Sequence, residues 1–237
     1  MSRIVVISGA GSGIGAATAR RFAQSGDTVV LLGRRADALK ETAVACGERA
    51  VVMPCDVSQP DAVTQVMAQV EFRFGRIDVL VSAAGTNLPQ RFIGQLTDEA
   101  WRMMIDINMN GAYYLIMRAL PLVRAARGVI VAIGSTSVPR PSNLGGASYN
   151  AAKSGLSAFV RTLAQEEAAN GVRATVVHPG EVDTPLMEKR PAPVSAERRA
   201  AMLQADDVAQ VVEFVAALPA RATIPEMILT PSANPFV

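Results

Sequence analysis

Apolar residues in this chain gather into short, unbroken runs rich in β-branched side chains, separated by longer stretches with helical spacing of apolar and polar positions. The runs are RIVVIS at 3–8, TVVLL at 28–32, AVVMP at 50–54, DVLVS at 78–82, GVIVAIG at 128–134, VRATVVH at 172–178 and EMILT at 226–230. They predict about seven strands. Because the runs are continuous rather than alternating, both faces of each strand must be covered, as in a parallel sheet, and the intervals are long enough for crossover helices. The expected fold class is α/β, a doubly wound parallel sheet with helices on both faces. No Gly/Ser linker, repeat or charge block divides the chain, and the proline-rich TPLMEKRPAPVS at 184–195 falls between two elements. One domain over residues 1–237, with a single long loop, is the expected organisation.

Composition narrows what such a domain can do. Half of the 237 residues are apolar, enough for a sizeable core. The 23 basic and 21 acidic residues nearly cancel and are scattered along the chain, which argues against a nucleic-acid surface and for a small-molecule partner. Cys46 and Cys55 are the only cysteines and neither sits in a CxxC or Cys/His cluster, so no disulfide framework or metal site is expected. The opening MSRIVVISGAGSG holds an apolar run that Gly9 interrupts, far short of the roughly 18 to 20 residues of a membrane span and without a cleavage pattern. A cytoplasmic protein without membrane insertion is the expectation.

Chemistry first shows itself after the first strand. SGAGSGIGAATARRFAQSG places Gly9, Gly11, Gly13 and Gly15 in a turn that opens a helix, with Gly9, Gly13 and Gly15 reading GxxxGxG. Side-chain-free positions let the backbone turn sharply and approach a pyrophosphate, while the helix start offers free N–H groups and a positive dipole end. The loop lacks the GK[ST] ending of a triphosphate cradle. At the end of the second strand, where an acid would bind a ribose 2′-hydroxyl, LLGRRADAL supplies Gly33, Arg34 and Arg35. Fork-shaped cations suit a 2′-phosphate, so NADP(H) is favoured over NAD(H).

Five segments in register, SGAGSGIG, CDV at 55–57, INMNG at 107–111, YNAAK at 149–153 and HPGEVDT at 178–184, resemble the short-chain dehydrogenase/reductase family over nearly the whole chain. The resemblance implies a Rossmann-type domain and an NAD(P)-dependent oxidoreductase. It assigns Tyr149 as general acid/base, Lys153 as its partner, Ser135 as hydrogen-bond donor to the substrate oxygen and Asn108 as a holder of a relay water. On the cofactor it implies contacts from Gly9, Ser12, Gly13, Ile14 and Gly15, and from Asp56, Val57, Ala84 and Gly85. It implies further cofactor contacts from Tyr149, Lys153, Pro179, Gly180, Val182 and Thr184. SAAG at 82–85 departs from the family's NNAG, so two side-chain hydrogen-bonding groups are missing. Asp56 also fits a turn or capping role.

Elementary physics agrees with the Tyr149–Lys153 pair. The two are four residues apart and share a helix face. An ammonium about 4 Å from a phenolate at an effective dielectric near 20 attracts it by roughly 4 kcal/mol, enough to lower a tyrosine pKa of ~10 by about 3. General acid/base work near neutral pH follows. The serine is less determined: the family's spacing lands on Thr136, whereas Ser135 follows the strand and its glycine directly, with Ser137 the runner-up. His178, the only histidine, reads as structural at a strand end before Pro-Gly.

Substrate contacts are expected from 86–92, 138–146 and 185–203, the last resembling the family's mobile lid. Leu186 and Met187 would cover an apolar substrate; Arg190 or Arg198 would pair with a carboxylate. The resemblance also implies a homo-oligomer, tetramer or dimer, built on the helices of 101–123 and the tyrosine helix. A non-catalytic NADP-sensing or structural protein on the same fold is the alternative.

Overall fold

The computed structural model describes residues 2–233, and the apolar runs form one seven-stranded parallel sheet. Its strands are β1 (Ile4–Ser8), β2 (Thr28–Gly33), β3 (Ala50–Pro54), β4 (Val79–Ser82), β5 (Val129–Ile133), β6 (Arg173–Pro179) and β9 (Glu226–Leu229). They are ordered β3-β2-β1-β4-β5-β6-β9. β7 (Val182–Asp183) and β8 (Leu203–Gln204) pair only with each other.

Successive side chains of each strand feed two different cores, because they point to opposite faces. Val6, Val30, Leu32, Leu80 and Ile130 pack under α3 (Pro60–Phe74), α5 (Gly111–Ala126) and α6 (Ala147–Glu166). Val5, Ile7, Val29, Leu31, Val81 and Val131 pack under α1 (Gly13–Gln24), α2 (Ala36–Cys46) and α8 (Ala205–Ala217). Burying each such side chain contributes about 1.5 to 3 kcal/mol, so both faces demand apolar residues and the runs in the sequence are continuous.

The strand order reverses between β1 and β4, and the crevice beyond their carboxyl ends is where doubly wound sheets take ligands. Here the Ser8 hydroxyl oxygen accepts the backbone N–H groups of Ala83 and Ala84 at 3.1 and 3.2 Å, stitching the two sides together. α4 (Asp98–Ile105) runs through a π-helical turn, Asp106–Asn110, into α5.

Part of the expected long loop is ordered by charge and turns. Between β7 and β8 lie a 3₁₀ turn, Pro185–Lys189, and the short α7 (Ala196–Ala200). Glu181 pairs with Arg190 and Arg198, each at 2.9 Å, and Asp183 with Arg199 at 3.0 Å, so this lid is pinned to the strand that precedes it. Among the described residues no helix is long and apolar enough to cross a membrane, and no cluster of His, Cys, Asp or Glu could hold a metal ion.

Candidate active site

Two adjoining clefts open at the crevice, and Gly85 lines both. The first, of about 150 Å³, is bounded by Gly9, Ser12, Arg34, Arg35, Asp56, Val57 and Ala84. Gly13 takes a left-handed φ of +52°, and a Cβ on Gly15 would overlap the Gly9 carbonyl, so neither position accepts another residue without strain. The turn brings the chain into α1 with Ser12 as an extended N-cap whose side chain caps no helical N–H, leaving the first ones for a ligand. A phosphate-bearing ligand fits such a cradle. Arg34 and Arg35 are both exposed and neither enters an ion pair among the described residues. Asp56 accepts from the Ser58 N–H and hydroxyl at 3.0 and 2.8 Å, so one of its oxygens is committed to the turn role.

The second cleft, of about 220 Å³, brings together Asn108, Ser135, Tyr149 and Lys153, and its rim includes Ile14, Pro179, Gly180, Val182 and Thr184. β5 ends one residue before Gly134 and delivers Ser135; α6 presents Tyr149 and Lys153 one turn apart. Ser135 and Tyr149 line the same cleft, and the Ser135 side chain is one of the groups that pull the tyrosine pKa down. Of the three candidate hydroxyls, Ser135 is the one whose side chain acts on the tyrosine. The Ser135 Oγ accepts the Ser137 N–H at 3.1 Å, while the Ser137 hydroxyl is buried in the cleft wall with no partner among the described residues. Asn108 spends its side chain internally: Oδ1 accepts the Thr86 N–H at 3.0 Å and Nδ2 donates to the Met104 carbonyl at 2.9 Å. It fixes the loop after β4 against α4.

Residues 3–194 match the short chain dehydrogenase family. The chain belongs to that family.

Cis-4-hydroxycyclohexanecarboxylate dehydrogenase of Sinomonas cyclohexanicum is 34% identical over 90% of this chain and 89% of its own. Among solved structures, an alcohol dehydrogenase from the archaeon Thermococcus sibiricus, complexed with 5-hydroxy-NADP, is 27% identical with a TM-score of 0.88 over the full length of both. A 3-ketoacyl-(acyl-carrier-protein) reductase of Brucella melitensis, complexed with NADH, is 26% identical with a TM-score of 0.85, covering 95% of this chain and 96% of that one.

In this short-chain dehydrogenase the electrostatics of the tyrosine differ from what four-residue spacing alone implies. Burial pushes the Tyr149 pKa up, against smaller downward pulls from the Ser135 side chain and the Arg91 charge. Lys153 is not among the groups that lower it. Its Nζ stands 5.8 Å from the tyrosine ring centroid and donates to the Ile133 carbonyl at 2.7 Å, and burial lowers its own pKa to about 8. A helix face shared at four-residue spacing sets direction, not distance, and desolvation acts on both groups.

Arg91 was legible only as one member of a substrate loop. It is buried, and it donates to the carbonyls of Leu88, Leu144 and Lys189, thereby clamping the loop after β4, the segment before α6 and the lid together. Lys189 in turn donates to Thr86 Oγ1 at 2.7 Å. Leu186, Met187 and Arg190 line the cleft as expected of a lid; Arg198 lies on the outside, paired with Glu181.

Proposed function

We propose that this chain is an NADP(H)-dependent oxidoreductase that interconverts a carbonyl and a secondary alcohol, with Tyr149 as general acid/base. The observation that carries the reading is the convergence of Tyr149, Ser135 and the buried Lys153 on one cleft contiguous with the glycine-loop cradle. NADP(H) in that cradle would be held by Gly9, Ser12 and Ile14, with Arg34 and Arg35 toward a 2′-phosphate; when bound it supplies or takes the hydride. Tyr149 gives its proton to the carbonyl oxygen as charge develops there, and Ser135 steadies that oxygen with a hydrogen bond. Lys153, its ammonium held by the Ile133 carbonyl, lies on the tyrosine's ring side and completes the polar floor of the cleft. In the oxidative direction Tyr149 receives the alcohol proton.

The wall of the cleft supports an anionic group on the substrate. Among the described residues, Arg91, Arg140, Lys153 and Arg190 line it against a single acid, Glu181. Arg91 is held below its usual pKa first by burial and then by the charge of Arg190, which marks a wall short of negative charge. The Sinomonas cyclohexanicum relative is named for a hydroxy-carboxylate substrate. A carboxylate a few bonds from the reacting carbon is the class we assign.

NADPH oxidation measured with a panel of oxo-acids and neutral ketones tests the reading. Turnover that falls by about 10³-fold or more in Tyr149→Phe is expected; wild-type rates in that variant would remove Tyr149 from the mechanism. Tight NADPH binding with no turnover across the panel would leave the non-catalytic alternative in possession.

A further inference from the structure

We infer that His178 and Glu226 form a positioning pair that holds the Ser135 hydroxyl in register with Tyr149, an inference that rests on the function proposed above. Beyond the end of β5 the chain continues alongside the last residues of β6. The Gly134 N–H donates to the Val177 carbonyl at 2.7 Å and the Thr136 N–H to the Pro179 carbonyl at 3.1 Å. Between them, the Ser135 N–H donates to the imidazole of His178, at 3.1 Å from Nδ1. The amide of the residue that carries the hydroxyl is thus held by a side chain, where those on either side of it are held by backbone carbonyls. No side chain fits at Gly134, where a Cβ would overlap the same Nδ1.

Accepting at Nδ1 fixes the rest of the ring. Nδ1 must hold its lone pair toward Ser135, so the proton resides on Nε2, which donates to Glu226 Oε1 at 2.8 Å. That carboxylate is the junction of two arms. Its Oε1 also accepts the Ser157 hydroxyl at 3.0 Å, and its Oε2 lies 3.6 Å from the Arg161 guanidinium. Ser157 and Arg161 continue the four-residue stripe of α6 that begins with Tyr149 and Lys153. Glu226 is thus tied to the helix that carries the tyrosine and, through a fully buried imidazole, to the turn that carries the serine.

The pair touches neither the tyrosine hydroxyl nor the space where substrate would react. Its role is to fix the spacing between two groups that must meet one oxygen, and a displacement of about 1 Å at such a centre can cost about 10²-fold in rate. The conservative variants separate this role from packing. His178→Asn can present a side-chain carbonyl to Ser135, whereas His178→Ala cannot; Glu226→Gln keeps an acceptor for Nε2–H, whereas Glu226→Leu does not.

The experiment measures kcat, KM, NADPH affinity and melting temperature for the four variants in the full chain. It also reads the tautomer from ¹⁵N shifts of the protein's single histidine and the exchange rate of the Ser135 amide. We expect kcat to fall by about tenfold to hundredfold in His178→Ala and Glu226→Leu, with NADPH affinity unchanged. His178→Asn and Glu226→Gln should recover most of that loss, and the wild-type ring should be the Nε2–H tautomer. Equal kcat in wild type, His178→Ala and Glu226→Leu would overturn the inference, as would an Nδ1–H tautomer. Should His178→Ala fail to fold, the Glu226→Leu and Glu226→Gln comparison decides. Wild-type protein without turnover would defeat the proposed function; the positioning claim then stands or falls on whether Ser135 amide exchange accelerates about tenfold or more in Glu226→Leu.

Discussion

Lys153 is the residue at which function and stability pull apart most clearly. Its pKa falls from 10.5 to about 8 on burial, a gap worth roughly 3 kcal/mol against the folded state at pH below about 8. The folded value is the lower one, so between about 8 and 10.5 the unfolded state binds more protons and stability rises with pH across that window. Melting curves of wild type and Lys153→Met on both sides of the window should show the wild type gaining on the variant by several degrees as pH rises, while the variant loses turnover throughout. A flat difference would mean that the ammonium is not desolvated. Arg91 makes a second prediction: kcat/KM for an oxo-acid over its methyl ester should exceed about tenfold in wild type and collapse toward unity in Arg91→Met, a preference weakened by salt. Tyr149, Lys153 and the glycines could be read from the sequence because local spacing brings them together. His178 with Glu226, and Arg91 with the lid, could not, since each contact joins segments distant in the chain and no periodicity marks them.

Among the elements, the seven sheet strands were legible because burial on both faces forces continuous apolar runs. β7 and β8 were not, being two residues each and held by one another and by charge pairs of the lid. The π-turn at Asp106–Asn110 was equally silent: its residues spell a helix, and only the packing of Asn108 against the β4 loop reveals the wider turn. Lid order hinges on Glu181. Burial alone would raise its pKa, but the hydrogen bonds from Arg198 and Arg190 outweigh that and hold it below the usual carboxylate range. The lid contacts are therefore fully present above the ordinary carboxylate pKa and are lost as pH falls through the depressed value. Glu181→Gln should raise KM for substrate by about threefold to tenfold at neutral pH with a small change in melting temperature. An unchanged KM would show that these ion pairs do not govern closure. The β2–α2 turn is tested by Arg34→Ala, for which the NADPH to NADH ratio of kcat/KM should drop by about tenfold or more; a wild type that prefers NADH would reverse the reading of GRR.

For the molecule as a whole, near-neutral charge and a sheet covered on both faces suit a protein that works on small molecules. Several large apolar side chains remain exposed, Trp101 and Met103 on α4 and Tyr113 and Met117 on α5, in the helices expected to build an oligomer. A dimer or tetramer by light scattering is expected, with Met117→Glu shifting it toward monomer; a monomeric wild type would remove that expectation. The contact between Gly134 and His178 has a consequence for the history of the chain. The imidazole occupies the volume that a side chain at 134 would need, so the two positions hold one shared quantity of space. Neither is free to vary alone: a larger residue at 134 becomes acceptable only in a lineage that has already surrendered the ring at 178, and such a lineage must find another acceptor for the Ser135 amide. Engineered alanines at both sites should accordingly cost less stability together than the sum of each alone.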